Sequence, residues 1–170
     1  MDPISVKPGE DKRGPGLKFP PPLLALVLIG AGYLADSWLP LPITQPITQP
    51  ITQYLDLRLI GLLLIIASLL LALLALSNFL RAKTQVEPWQ PTTVILQSGV
   101  FAYSRNPIYL AFCIATLGAG LIINSWWGLG VTPLLAFLLQ RLVINREESY
   151  LEQKFGEDYL SYKRRVRRWL

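Results

Sequence analysis

The sequence predicts an all-α integral membrane protein. It should have about four transmembrane helices, the last two forming a C-terminal hairpin, followed by a cytoplasmic amphipathic helix. Three observations predict this. Hydrophobic residues make up 52% of the 170-residue chain and charged residues only 16%, too apolar for an ordinary soluble domain. The apolar residues fall in blocks of spanning length rather than in stripes. Lys and Arg collect in alternate connections between those blocks, the pattern of the positive-inside rule.

Composition also excludes chemistry. The chain has no histidine, the commonest general base and metal ligand. Its one cysteine, Cys113, lies inside an apolar run, so neither an internal disulfide nor a cysteine-based metal cluster is expected. The net charge of +5 comes from basic residues that flank apolar segments. That placement points to anionic membrane lipids as a partner and not to nucleic acid.

Residues 1–18 carry Lys7, Lys12, Arg13 and Lys18 among Pro and Gly and read as a disordered basic cytoplasmic tail. Residues 19–83 read as two transmembrane helices and their connector. Phe19 to Leu39 is the first helix; its 21 residues would extend about 32 Å, enough to cross the hydrocarbon core. Pro20 to Pro22 suit its start, and Pro40 and Pro42 its end. "PITQPITQPITQ", residues 42–53, is a low-complexity connector in which a proline every fourth residue prevents a regular helix. The second helix is expected from about Leu57 to Leu80, with Ser68 as the polar exception between Leu59 and Leu76.

Residues 84–170 read as a third region. A long polar loop leads to an apolar segment, Pro107 to Ile123, which at 17 residues is barely long enough to span. "NSWW" separates it from a fourth segment, Trp126 to Ile144, in which Pro133 should produce a kink. Beyond Ile144, the residues Leu151, Phe155, Tyr159, Tyr162, Val166 and Trp169 recur at spacings of three and four, which places them on one helical face. That face can lie on an anionic membrane surface or pack on the protein itself. The basic tail, the loop with Arg81, Lys83 and Arg105, and the basic C-terminus all belong on the cytoplasmic side, so both termini of this multi-pass chain are expected in the cytoplasm.

With the last two helices as an antiparallel hairpin turning at Asn124 and Ser125, Arg105 and Asn106 fall across from Ile144 and Val143. Phe101 and Ala102 fall across from Glu148 and Glu147. Polar groups thus converge at the cytoplasmic mouth of an apolar hairpin, as binding pockets are built. The same charges also fit a simpler role, a snorkelling arginine and a solvated glutamate pair at the membrane surface.

At these residues the chain resembles the isoprenylcysteine carboxyl methyltransferase and phospholipid methyltransferase superfamily. The marks are "GVFAYSRNPIY" from Gly99 to Tyr109, the hairpin, the pair Glu147-Glu148, and "FGEDYLSY" from Phe155 to Tyr162. The resemblance covers about residues 84–168. It implies a small helical membrane enzyme that takes S-adenosylmethionine from the cytoplasmic side and methylates a lipophilic acceptor: an isoprenylcysteine-like carboxylate, a lipid amine or a thiol. The partner it implies is therefore a lipophilic small molecule or a lipidated substrate. It further implies cofactor-binding roles for Thr93, Val94, Ile95 and Leu96; for Phe101; for Arg105, Asn106, Pro107, Ile108 and Tyr109; and for Glu147 with Glu148 beside it.

The chain departs from the pattern in places. Asn106 stands where the carboxyl branch has histidine; it donates and accepts hydrogen bonds but does not titrate. Val143 stands where that branch has a substrate arginine, leaving Arg141 and Arg146 as the nearby substrate candidates. The "GAG" at Gly118 to Gly120 reads as close helix packing. A non-enzymatic membrane scaffold and an NADPH-dependent sterol-reductase-like enzyme stay open as alternatives, as does the oligomeric state.

Overall fold

Prolines and small residues set where the helices of this chain begin and how closely they pack. The computed structural model describes residues 4–5, 20–44, 51–84 and 92–170, for 4–5 and 51–55 the backbone alone. Six α-helices follow in order: α1 (Pro21–Trp38), α2 (Ile51–Arg81), α3 (Pro107–Ile123), α4 (Trp126–Leu139), α5 (Asn145–Phe155) and α6 (Glu157–Arg165). A 3₁₀ turn at Gly99–Ala102 precedes α3, and a π-turn at Gln140–Ile144 joins α4 to α5. A two-residue pair, β1 (Ile4–Ser5) with β2 (Val94–Ile95), is antiparallel. Most of the basic tail lies outside the described residues, as does the middle of the PITQ connector.

The chain is an all-α membrane protein. Pro21–Trp38, Asp56–Arg81 and Trp126–Phe155 are long and apolar enough to cross a bilayer, while α3 is a shorter apolar helix. Four spanning segments were expected, and three meet the full length. Large apolar side chains on α2, among them Leu62, Leu63 and Leu69, are exposed, as expected where lipid rather than water is the solvent. Ser68 satisfies itself inside the helix by donating to the Ile65 carbonyl at 2.7 Å.

Some boundaries differ from those the sequence predicts. α2 starts at Ile51, not near Leu57. The last proline of the repeat, Pro50, precedes the helix, so "ITQ" at residues 51–53 is free to join it. The expected fourth helix, Trp126 to Ile144, is α-helical to Leu139 and π-helical from there to Ile144, and it continues into α5; Pro133 lies inside α4. The expected single tail helix is two helices, divided at Gly156, whose φ of 53° with ψ of −127° favours glycine.

The chain divides into two compact units, one of Met1–Pro20, Leu71–Ile108 and Leu139–Leu170, the other of Pro21–Leu70 and Tyr109–Leu138. In the second unit the α3–α4 turn is clasped by the segment after α1. Asn124 takes a φ of 61°, and its side chain accepts from the Thr44 N–H at 2.9 Å and donates to the Thr44 carbonyl at 2.8 Å. Ser125 bridges Pro42 and donates to Asp36 Oδ1 at 2.6 Å. Trp127 Nε1 donates to the Leu39 carbonyl at 2.9 Å.

Glycine sets the helix spacing in that unit. A Cβ at Gly61 would stand 2.7 Å from the Gly118 carbonyl oxygen, and one at Gly120 would stand 2.7 Å from the backbone of Gly128. The "GAG" run is thus a packing device, as expected. Gly130, by contrast, has nothing within 4 Å of its Cβ position. Gly120→Ala is therefore expected to destabilise the protein by about 1–3 kcal/mol through overpacking. Gly130→Ala should be neutral or stabilising by up to about 1 kcal/mol, from helix propensity alone. Thermal unfolding in detergent separates the two; equal melting temperatures would refute the packing argument.

Candidate functional site

The first unit gathers the polar residues. Its apolar core consists of Ile95, Phe155, Tyr159, Tyr162 and Val166, with Leu151 packed against it. Much of the apolar face of the tail is thus covered by protein, the second of the two compatible roles open to it. Ile95, expected at a cofactor, spends its side chain in this core, and the Val94–Ile95 backbone pairs with β1. The Thr93 hydroxyl lies 3.0 Å from that of Thr84. Leu96 is half-buried.

The 3₁₀ turn at Gly99–Ala102 aims the next residues. Gly99 has a φ of 60°, and a Cβ there would stand 2.7 Å from the Asn78 amide, so a side chain at this position would be strained and would displace Asn78. Phe101 is buried and meets Phe79 edge-to-face, with ring centroids 5.5 Å apart. Its carbonyl accepts from the Tyr162 hydroxyl at 2.7 Å. Burial pushes the Tyr162 and Tyr159 phenols well above their ordinary range, and the Glu148 carboxylate adds to the rise at Tyr159. Both stay neutral at physiological pH, so Tyr162 remains a donor.

The C-terminal residues return across this turn as an extended strap. Val166 is extended and buried. The Arg105 N–H donates to the Arg167 carbonyl at 3.0 Å. Asn106 Nδ2 donates to the Arg168 carbonyl at 3.0 Å, and the Ser104 hydroxyl donates to the same oxygen at 3.4 Å. Asn106 and Pro107 are buried, and Ile108 is half-buried at the start of α3. Tyr109 belongs to the second unit, where it is buried 6.3 Å from the Phe112 ring.

A charge cluster lies beside the strap. Glu148, on the first turn of α5, is 4% exposed. Its Oε1 takes Arg105 Nη2 at 3.1 Å and Arg168 Nε at 3.0 Å. Its Oε2 takes Arg168 Nη2 at 2.6 Å, with Lys163 Nζ at 3.8 Å. Lys163 also bonds Glu152. The hydrogen bonds to Glu148 hold the Arg168 guanidinium even more firmly protonated than usual. Three cations face two carboxylates among these five side chains, which leaves one formal positive charge.

Arg105 stands in an unusual setting within the cluster. Its side chain is 8% exposed, and one nitrogen, Nη2, meets Glu148. Nε and Nη1 are buried and have no hydrogen-bond acceptor among the described residues. A buried guanidinium with two open donors is costly in a finished core. Nε and Nη1 lie on different edges of the guanidinium, so each can take one oxygen of an anionic ligand.

The hairpin alignment predicted convergence here but placed Phe101, not Arg105, level with Glu148. The long arginine side chain covers the difference of one turn. Glu147 is half-buried on the same turn as Glu148. Arg141 and Arg146, the substrate candidates, are both exposed. Sequence reasoning missed Arg168 and Lys163 as members of the cluster and Tyr162 as the donor to the Phe101 carbonyl; it directs the chain's basic residues to anionic lipids.

A Schizosaccharomyces pombe (strain 972 / ATCC 24843) protein named protein-S-isoprenylcysteine O-methyltransferase is 28% identical over 107 residues, which cover 56% of this chain and 45% of that protein. The chain thus spans less than half the length of that relative. An uncharacterized Haemophilus influenzae (strain ATCC 51907 / DSM 11121 / KW20 / Rd) protein is 49% identical over 47 residues, 28% of this chain and 73% of its own length. The phospholipid methyltransferase family profile matches residues 57–158, more than half of the chain, from α2 through the "SRNP" turn and the Glu pair into α6. The chain belongs to the phospholipid methyltransferase family, in the superfamily that also holds the isoprenylcysteine carboxyl methyltransferases.

Proposed function

We propose that the protein is a membrane methyltransferase that uses S-adenosylmethionine and acts on a lipophilic acceptor from the bilayer. The observation that carries this reading is Arg105, whose buried Nε and Nη1 lack acceptors among the described residues. S-adenosylmethionine offers a carboxylate oxygen for one of those donors and a hydroxyl oxygen for the other. The cofactor supplies an electrophilic methyl group on a sulfonium, so the protein's work is to bind, orient and exclude water.

The residues divide that work. Arg105 grips the carboxylate, and Glu148 holds Arg105. Glu147 accepts hydrogen bonds from the cofactor's amino or hydroxyl groups. Phe101 presents an aromatic wall braced by Phe79. Thr93 to Leu96 contribute a backbone edge, with Ile95 anchored in the core. Asn106 positions the turn through the strap. No side chain need serve as an obligatory general base. A carboxylate or thiolate acceptor is already ionised, and an amine releases its proton to water.

Family membership supports the acceptor class, a lipidated carboxylate, a lipid amine or a thiol reached from the membrane. Both termini lie in the cytoplasm. The clasp between the two weakly charged connectors supports this, since residues 39–44 and 124–127 must share one side of the bilayer. With its apolar face packed inward, the tail meets anionic lipids through exposed basic residues such as Arg164 and Arg167 alone.

Calorimetric titration of the detergent-solubilised protein with S-adenosylmethionine, with NADPH in parallel, tests the reading. The wild type should bind the former and not the latter. Glu147→Ala should abolish binding while leaving the melting temperature unchanged. Wild-type affinity in that variant would remove Glu147 from the site. Binding of NADPH alone would replace the methyltransferase reading with a reductase one.

A further inference from the structure

The way Glu148 is shared has a consequence for Arg105. A carboxylate facing a single arginine is usually gripped by two parallel hydrogen bonds. Here that two-pronged contact belongs to Arg168, whose Nε and Nη2 take one carboxylate oxygen each, at 3.0 and 2.6 Å. Arg105 is left with one contact, through Nη2 at 3.1 Å. Lys163 offers no substitute for the fork: it stands 3.8 Å from Glu148 and already bonds Glu152.

We propose that Arg168 is a positioning residue of the anion site: by occupying both oxygens of Glu148, it confines Arg105 to a single contact and keeps Nε and Nη1 open, so that one of them can take a ligand carboxylate oxygen. The inference rests on the reading that the site takes S-adenosylmethionine. Without the Arg168 fork, Glu148 draws a second Arg105 nitrogen onto itself, and the site fills itself. The strap survives such a change, because it is held by the Arg167 and Arg168 backbone carbonyls and by Val166 in the core.

Two probes separate positioning from structure. S-adenosylhomocysteine carries the carboxylate; 5′-methylthioadenosine keeps the nucleoside and sulfur but lacks the amino-acid arm. Affinities for both would be measured by calorimetry in wild type, Arg168→Gln and Arg168→Lys, alongside melting temperatures. Arg168→Gln should weaken S-adenosylhomocysteine binding by about tenfold or more, the scale of one charge-assisted hydrogen bond, and leave methylthioadenosine binding unchanged. Arg168→Lys should behave like Arg168→Gln, since an ammonium keeps the charge but cannot fork. Equal losses for both probes would make Arg168 a structural residue and overturn the proposal. So would no loss for either probe, or full rescue by lysine. A folded wild type that binds neither probe would instead overturn the cofactor reading, and this inference with it.

Discussion

Arg105→Met should weaken S-adenosylmethionine binding by at least about a hundredfold, the loss of two charge-assisted hydrogen bonds. The protein should stay folded. Methionine replaces the apolar stem of the arginine, and Glu148 keeps its two-pronged contact with Arg168. The change also removes a costly feature of the ligand-free protein, the open Nε and Nη1 donors. The melting temperature should therefore hold or rise while affinity collapses. Calorimetry and thermal unfolding on the same preparation check both halves. Affinity within about threefold of wild type would show that the open donors face no ligand.

Glu148→Gln should have the opposite signature. The amide keeps the shape but leaves the Arg105 guanidinium buried without a counter-charge. Removing one partner of a buried pair costs about 3–5 kcal/mol; the partial exposure of Arg168 and Lys163 puts this case toward the lower end. An apparent melting temperature lower by about 6–12 °C follows for a chain of this size. Combining Glu148→Gln with Arg105→Met should restore much of the loss, since no unpaired buried charge remains. An unchanged melting temperature in the single variant would sink the claim that Glu148 is the counter-charge of the buried Arg105. The exposed pair Arg164–Glu157 is a fair contrast, because a solvated ion pair contributes little.

Much of the helical layout was legible because it is local. α3 runs from Pro107 to Ile123, as the sequence indicates: a proline suits a first turn, and Asn124 tolerates the left-handed conformation that ends it. The glycine run announced close packing for the same kind of reason. The break at Gly156 was hidden, since the apolar spacing from Leu151 to Val166 continues in helical register across it. Only the backbone, not the pattern, departs from the helix there.

The site was half legible. "SRNP" and the Glu pair carry a recognisable order, and an antiparallel hairpin brings them near one another. Which glutamate would be buried, and by what, depended on residues 20 positions further on. The π-turn also adds a register shift before α5 that no composition signals. Basic residues in a tail look alike in sequence. Arg168 differs from Arg164 only because Val166 is drawn into the core and the strap is tied at its carbonyls.

The clasp at the α3–α4 turn bears on how the chain is made. Thr44 and Asn124 are 80 residues apart, so at ordinary synthesis rates roughly 4–16 s separate their emergence. During that interval Asp36 and Thr44 bond to water, which is available to them only because they lie at the end of a span and not within it. The prolines at 40 and 42 hold the waiting segment extended, so the backbone that later receives Trp126 and Asn124 is set in advance. The first helix and its proline-rich end thus act as a template on which the short third helix, the weakest spanning segment, is fastened as it arrives.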